Sequence, residues 1–186
     1  MIIKYYPTKA ATVNTLSAHL KQLELKNIKP DMIIVDYADI LRDSSGMREV
    51  RHQLGAVYED LRGLAGELEI PIWTASQANR SALDEDVIEA GKIAESYIKI
   101  MTADFVMSLS RKVEDKIGNT GRFHIIKNRF GPDGISYPAM VNTNTGKIEI
   151  YDSNSVGGQE QQYKINHRNN LTKKMLSSKY NDLMGD

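Results

Sequence analysis

Two polar residues stand just behind short apolar runs, where many enzymes place a catalytic or metal-binding side chain. Asp36 follows the apolar residues 32–35, and Gln77 comes after the largely apolar residues 70–75. Short continuous apolar runs, separated by helical patterns, are typical of parallel strands buried on both faces. Ligands bind beyond the carboxyl ends of such strands, so both side chains are predicted to emerge at one edge. A carboxylate and an amide there suit a hydrated metal ion and its phosphate.

The elements that would position these residues alternate between strand and helix. The clearest helical periodicity has apolar residues spaced four and three apart: Val50, Leu54, Val57, Leu61, Leu64 and Leu68. An earlier helix over residues 13–23 begins at Thr12, which can cap it. Residues 2–6 form a candidate strand that ends at Pro7. The pattern favours an α/β fold.

The C-terminal half reads as further strands followed by an appendage. The predicted elements are a loop over 80–91, a short helix over 93–101, strands over 104–109, 122–127, 135–141 and 147–151, and a charged turn over 113–121. Residues 142–146 are predicted to join the last two strands as a hairpin. Gly157 and Gly158 begin a linker-like stretch, and residues 171–183 form a basic, weakly amphipathic helix. We therefore predict two parts, residues 1–152 and 153–186.

Composition restricts the class of protein. The 186 residues hold 24 basic and 24 acidic side chains, so any polyanion site must be a local cluster. The chain has no cysteine, which excludes disulfides and thiolate metal sites. No apolar stretch approaches the about 18 residues that a membrane helix needs. These features predict a globular, soluble, intracellular protein with no membrane partner.

Four segments, in order and spacing, resemble the RecA-type motor domain of DnaB-like replicative hexameric DNA helicases, particularly the bacteriophage versions. They are IIVDYADIL, IPIWTASQANRSA, AESYIKIMTADFVMSLSR and FHIIKNRFGPDG, and the resemblance covers residues 1–152. It implies a RecA-like P-loop NTPase core, with a mostly parallel sheet flanked by helices and a C-terminal β-hairpin. It also implies ATP and Mg²⁺ as cofactors, and single-stranded DNA, a homo-oligomeric hexameric ring and a primase as partners. The expected location is the cytoplasm of a bacterial host cell.

The same resemblance implies roles for individual residues. Asp36 matches the Walker B aspartate, which holds the magnesium ion through water. Gln77 matches the residue that senses the γ-phosphate and couples it to the DNA loops. Lys127 and Arg129 match the basic pair that reaches into a neighbouring subunit's nucleotide site, where a guanidinium offsets charge on the transferring phosphoryl group.

A DNA-contacting segment is implied before the helix over residues 93–101. The candidate DNA contacts are Glu95, Ser96, Arg80 and Lys92. The family has an arginine just before the first two of these, whereas this chain has Ala94. Lys92 and Lys99 are the candidates to supply the missing positive charge.

One family motif is absent from the sequence. No G-x-x-x-x-G-K-[S/T] occurs, and the family's catalytic glutamate would fall before Met1. The core is therefore expected to lack the P-loop strand, to leave strand edges unpaired, and to hydrolyse little or no ATP alone. The chain is interpreted as a fragment of a longer product, in preference to an altered sheet or a core that a partner completes.

Each functional assignment has an ordinary structural alternative. Asp36 could cap a turn, and Gln77 could be a polar strand end. Lys127 and Arg129 could be solvated turn charges, and a helix N-terminus would explain the two residues after Ala94. None of the histidines has metal-ligand spacing. Two other functions stay open: another RecA-type ATPase of the recombination or clock type, and a non-catalytic oligomerisation or inhibitory module.

Overall fold

The chain folds as two units in the computed structural model, which describes residues 1–44, 46, 49–78, 85–88 and 97–184. Each unit is assembled from two stretches of sequence. Met1–Ala78 and Ile93–Asp104 form the first unit, and Asn79–Lys92 and Phe105–Asp186 form the second. The predicted boundary after residue 152 does not coincide with this division and stays a prediction.

The first unit combines helices with a pair of parallel strands. In chain order its described elements are α1 (Val13–Glu24), β1 (Ile33–Val35), a 3-10 helix (Ala38–Ile40), α2 (Val50–Leu68), β2 (Ile72–Thr74) and α3 (Tyr97–Thr102). β1 and β2 run parallel, and Val35 lies opposite Thr74 at their carboxyl ends. The parallel pairing that the sequence predicts for these strands is confirmed.

The core of the first unit forms where α1, α2 and the strands meet. Its buried residues are Ala11, Val13, Ala38, Leu41, Val57, Tyr58, Leu61 and Leu64. Val57, Leu61 and Leu64 belong to the predicted apolar stripe of α2, which confirms that this part of the stripe faces the core, whereas Leu68 at its end is 37% exposed. Thr12 caps α1, because its hydroxyl oxygen accepts the backbone N–H of Thr15 at 3.2 Å.

Two predictions for the first unit are wrong. Residues 2–6 form no strand, and they lie largely in solvent, with Ile3 80% and Tyr5 81% exposed. The strand pair is also not buried on both faces. Ile34 and Trp73 are register partners on one face and are 71% and 42% exposed. The apolar runs therefore predicted the positions of these strands correctly, but they did not predict which faces of the strands are buried.

The second unit is built on an antiparallel sheet. In chain order its described elements are β3 (Phe105–Ser110), α4 (Val113–Gly118), β4 (Thr120–Asn128), β5 (Ser136–Asn142), β6 (Lys147–Ile150) and α5 (Val156–Met184). The strand order is β3-β4-β5-β6, and every neighbouring pair is antiparallel. The predicted hairpin of the last two strands is confirmed, with Gly146 at φ 70° in its turn.

Parallel pairing contributes less of the described structure than the sequence predicts. One described strand pair, β1–β2, is parallel, whereas the three pairs of the second unit are antiparallel. The connections β4–β5 and β5–β6 are too short for the crossover that a parallel pair needs, whereas the β3–β4 connection contains α4.

Two segments read as irregular are helical instead. The expected charged turn over 113–121 contains α4, whose first turn is held by the Asp115 carboxylate accepting the Lys112 N–H at 2.9 Å. The expected linker at Gly157 and Gly158 is the start of α5. This helix packs on the sheet, since Ile165 is 1% exposed and the Gln161 amide donates to the Ala139 carbonyl at 3.0 Å. None of the described helices combines the length and apolarity needed to cross a membrane.

Candidate functional site

The carboxyl ends of β1 and β2 bring the two principal candidate residues to the same end of the first unit's sheet. Asp36 follows the last residue of β1 directly, and Gln77 lies three residues beyond the last residue of β2. Because the strands are parallel and in register, both polar ends point the same way along the sheet. The amide nitrogen of Gln77 donates to the Tyr37 hydroxyl at 3.2 Å, which ties the two ends together.

The Asp36 side chain has the environment that a water-mediated magnesium ligand needs. It is exposed, and within the described part of the chain its carboxylate makes no hydrogen bond or ion pair. No group of three or more acidic, histidine or cysteine side chains that could cage a metal occurs among the described residues. Mg²⁺ does not require such a cage, since it keeps several waters and binds one or two carboxylates plus phosphate. The residues present therefore fit Mg²⁺ carried by a nucleotide.

Thr74 fixes the backbone that follows β1. Its hydroxyl donates to the Val35 carbonyl at 2.9 Å and accepts the Ala38 N–H at 2.9 Å. One side chain of β2 thus spans the residues on either side of Asp36. The peptide bond between Asp36 and Tyr37 is cis.

A second carboxylate, three residues after Asp36, is the centre of a polar cluster that the sequence did not reveal. Oδ2 of Asp39 accepts hydrogen bonds from Lys99 Nζ at 2.9 Å and from Ser76 Oγ at 3.0 Å. Its Oδ1 accepts the Tyr58 hydroxyl at 2.8 Å. Lys99 Nζ also donates to Ser76 Oγ at 3.1 Å. We call these four residues the Asp39 cluster.

Most of the Asp39 cluster is withdrawn from water, although Ser76 is exposed. The Lys99 side chain is 3% exposed and the Asp39 side chain 17%. Burial, followed by the charge of Asp39 and the hydrogen bond to it, raises the pKa of Tyr58 well above its ordinary value. Tyr58 is consequently a neutral hydrogen-bond donor at physiological pH.

One prediction for Lys99 is wrong. The sequence suggested that it could supply positive charge to DNA, but its ammonium group is buried against Asp39. A signal was present, because Lys99 stands between Ile98 and Ile100 in an otherwise apolar stretch. A lysine that is buried needs a paired carboxylate, and Asp39 is its partner.

The predicted basic pair lies in the second unit. Lys127 is in β4, opposite Val106, and is half-buried, whereas Arg129 follows the strand and is exposed. The Asn128 side chain shapes the turn here, accepting the Phe130 N–H at 3.0 Å and donating to the Pro132 carbonyl at 3.1 Å. Arg129 is thus presented to solvent on a hydrogen-bonded turn rather than folded into its own core.

The DNA-contact candidates are not placed by the structure. Arg80, Lys92, Glu95 and Ser96 all lie outside the described residues. Their predicted contacts with DNA stay predictions.

Comparison with known proteins identifies relatives of this chain. The model of the DnaB-like helicase C terminal domain family matches residues 2–145. The DnaB-like replicative helicase of Enterobacteria phage T4 is 36% identical over 136 residues, which are 70% of this chain and 28% of that protein. The replicative DNA helicase DnaB of Helicobacter pylori is 27% identical over 82 residues, 44% of this chain and 17% of that protein. The chain thus spans less than a third of these relatives.

Solved structures agree on the fold. One of them, an ATPase domain, superimposes with a TM-score of 0.66 at 21% identity, covering 76% of this chain and 52% of that one. A DnaB-like replicative helicase, solved for its interactions with primase, gives 0.65 at 22% identity, covering 74% and 34%. The fold is therefore that of RecA-like helicase ATPase domains, present here as an incomplete α/β core.

The family match decides between two of the functions that the sequence left open. A RecA-type ATPase of the recombination or clock type is disfavoured, because the family model and the relatives are those of replicative helicases. With the strand pair, the paired polar ends and the match over residues 2–145 together, the chain belongs to the DnaB-like helicase C-terminal domain family.

Proposed function

We propose that the chain is part of the ATPase domain of a replicative DNA helicase, and that it couples ATP hydrolysis at subunit interfaces to movement along single-stranded DNA and duplex unwinding. The observation that carries this proposal is the convergence of Asp36 and Gln77 at one end of a parallel strand pair. The working form is a homo-oligomeric ring, taken to be hexameric, in the cytoplasm of a bacterial host. A primase is a further partner, since a structural neighbour was solved for its interactions with primase.

The exposed Asp36 carboxylate would hold Mg²⁺ through water. The ion would supply positive charge that offsets the negative charge of the nucleotide phosphates. Gln77 would contact the γ-phosphate, and its hydrogen bond to Tyr37 orients the amide. Because the chain holds no Walker A motif, the backbone cradle for the phosphates would come from residues outside it.

The turn after β4 would act on a neighbouring subunit. Arg129 is exposed there, as a residue that reaches across an interface must be. Its guanidinium would offset negative charge on the transferring phosphoryl group, with Lys127 beside it. Single-stranded DNA would bind through the segment that holds Arg80, Lys92, Glu95 and Ser96, in the channel of the ring.

The metal role of Asp36 can be tested without turnover. Mn²⁺ bound with ATP broadens the NMR signals of nearby amides, and we expect broadening at Asp36 and Gln77 in the purified chain. Asp36→Asn should remove it. The matched control is Asp31→Asn, an exposed aspartate just before β1, at the other end of the strand. Equal broadening in wild type and Asp36→Asn would refute the assignment and favour the non-catalytic module.

ATP turnover by the chain alone should stay at background, with or without single-stranded DNA. The reason is the missing phosphate cradle, which normally contributes backbone N–H groups and a lysine. A phosphate-release assay at saturating Mg²⁺ measures this. Turnover that is well above background, and that Asp36→Asn abolishes, would show that this chain completes its own site.

A further inference from the structure

The Asp39 cluster joins three helices of the first unit and the segment that follows β2 through one carboxylate. Asp39 lies on the 3-10 helix after β1, Ser76 follows β2, and Tyr58 and Lys99 come from α2 and α3. Each carboxylate oxygen receives at least one hydrogen bond, at distances from 2.8 to 3.0 Å. A single side chain therefore fixes both strand ends against the two helices.

Stability alone does not account for this arrangement. Desolvating a lysine and an aspartate opposes their mutual attraction, and replacing such pairs by apolar residues is often neutral or stabilising. The Lys99–Asp39 pair is almost fully withdrawn from water, at 3% and 17% exposure. What it does provide is geometry, because a bonded carboxylate accepts donors only along particular directions.

The cluster restrains the positions of Asp36 and Gln77, the two candidate nucleotide-binding residues. Asp39 is three residues from Asp36, and Ser76 is next to Gln77. The short backbone between each pair leaves little freedom once Asp39 and Ser76 are bonded to each other. Thr74 adds a parallel restraint through the Ala38 N–H.

We propose that Asp39 and Lys99 are positioning residues, whose buried ion pair holds Asp36 and Gln77 in the relative placement that Mg²⁺–nucleotide binding requires. That this placement serves nucleotide binding rests on the proposed function. The restraint itself can be measured without nucleotide. Neither residue touches the metal or the phosphates; both act through the strand ends.

A double substitution separates positioning from stability. Asp39→Leu with Lys99→Met replaces the ion pair by apolar side chains, so the folded chain should survive, whereas Lys99→Met alone leaves a carboxylate buried without its cation. We expect ¹⁵N relaxation to show lost order at the backbone amides of Asp36 and Gln77 in the double variant. We also expect the dissociation constant for Mn²⁺–ATP to rise about tenfold or more, as when supporting residues of metal sites are removed.

The control breaks an exposed ion pair of the same unit. Asp104→Asn removes the 2.9 Å ion pair between Arg62 and Asp104, whose side chains are 44% and 41% exposed. It should change neither the backbone order at Asp36 and Gln77 nor the dissociation constant for Mn²⁺–ATP. If the amides of Asp36 and Gln77 keep their order in the folded double variant, the positioning role is wrong, whatever its stability. If order is lost but wild type binds no Mn²⁺–ATP, the restraint stands and the proposed function fails.

Discussion

Asp36 and Asp39 are two carboxylates three residues apart with opposite surroundings. Asp36 is exposed and, among the described residues, makes no bond, whereas Asp39 accepts hydrogen bonds from Tyr58, Ser76 and Lys99. A carboxylate with free oxygens can take a hydrated cation, and one whose oxygens are committed can only hold structure. The same residue type therefore has open carboxylate oxygens at Asp36 and committed ones at Asp39.

Removing the Tyr58 hydroxyl should alter stability in a pH-dependent way. The pKa of Tyr58 is raised in the fold, so its contribution is complete below the unfolded value of 10.0 and is lost as pH rises above it. Tyr58→Phe should lower the free energy of unfolding by about 1 kcal/mol at pH 8, and should flatten its fall above pH 10. Urea denaturation at several pH values measures both effects.

The control for this substitution is Tyr5→Phe, which removes a hydroxyl from a side chain that is 81% exposed. It should change neither the stability at pH 8 nor the alkaline slope. A Tyr58→Phe variant with the wild-type slope would show that the hydroxyl ionises equally in both states.

In the second unit, Asp115 should govern the stability at acid pH. Burial opposes its charge, but hydrogen bonds from Thr120, from the Lys112 N–H and from Arg122 outweigh burial and lower its pKa below 3.8. Its stabilisation is thus present above pH 3.8 and is lost as pH falls through the folded value. Asp115→Asn should cost about 3 kcal/mol at pH 7, because Arg122 then loses its closest buried counter-charge.

Urea titrations at pH 7 and pH 3 check this prediction. Glu160→Gln is the surface control, since Glu160 pairs with Lys164 in solvent, and its stability should match wild type. An Asp115→Asn variant that is as stable as wild type at pH 7 would contradict the role of the ion pair.

At the scale of elements, local patterns were predictable and long-range polar contacts were not. The stripe of α2, the strand ends at Asp36 and Gln77, and the β5–β6 hairpin depend on neighbours a few residues apart. Lys99 and Asp39 are 60 residues apart, and no periodicity links them. Only the tertiary fold creates that pair.

The glycine pair at the start of α5 shows that a local pattern can also mislead. A Gly-Gly pair suggests a linker, but a Cβ at Gly158 would overlap the carbonyl oxygen of Asp152. A residue without a side chain is needed at this position, because the first turn of the helix packs closely on the preceding turn. Ser155 Oγ accepts the Gly158 N–H there at 3.0 Å. Composition could not distinguish flexibility from close packing.

Two Gly→Ala substitutions should therefore change stability in opposite directions. Gly158→Ala should destabilise the chain, because its methyl group meets backbone that cannot move aside cheaply. Gly63→Ala, in α2 with nothing within 4 Å of its added methyl, should stabilise it by about 1 kcal/mol. Thermal denaturation of the two variants beside wild type measures the difference. Stabilisation by both would show that the α5 start adapts freely.

At the scale of the whole molecule, the exposed apolar face of the strand pair should promote association. Ile34 and Trp73 lie side by side and are 71% and 42% exposed, and contiguous apolar surface of this kind marks contact sites. Ile34→Lys with Trp73→Lys should shift the purified chain toward monomer. Sedimentation velocity across a concentration series measures the shift.

The matched control is Leu25→Lys, which adds charge at an 86% exposed position after α1. It should leave the association of the wild type unchanged. If the sheet variant and the control behave alike, net charge rather than this face sets the oligomeric state.

The order in which the units share the chain limits how the molecule can be dissected. The backbone passes between them three times, at residues 78/79, 92/93 and 104/105. No uninterrupted stretch holds the first unit alone, since residues 1–104 carry 79–92 of the second with them. Expressing either half separately would need a designed splice across the excised piece. A single protease cut at any of these junctions would divide the chain into two pieces, and at least one piece would still hold segments of both units.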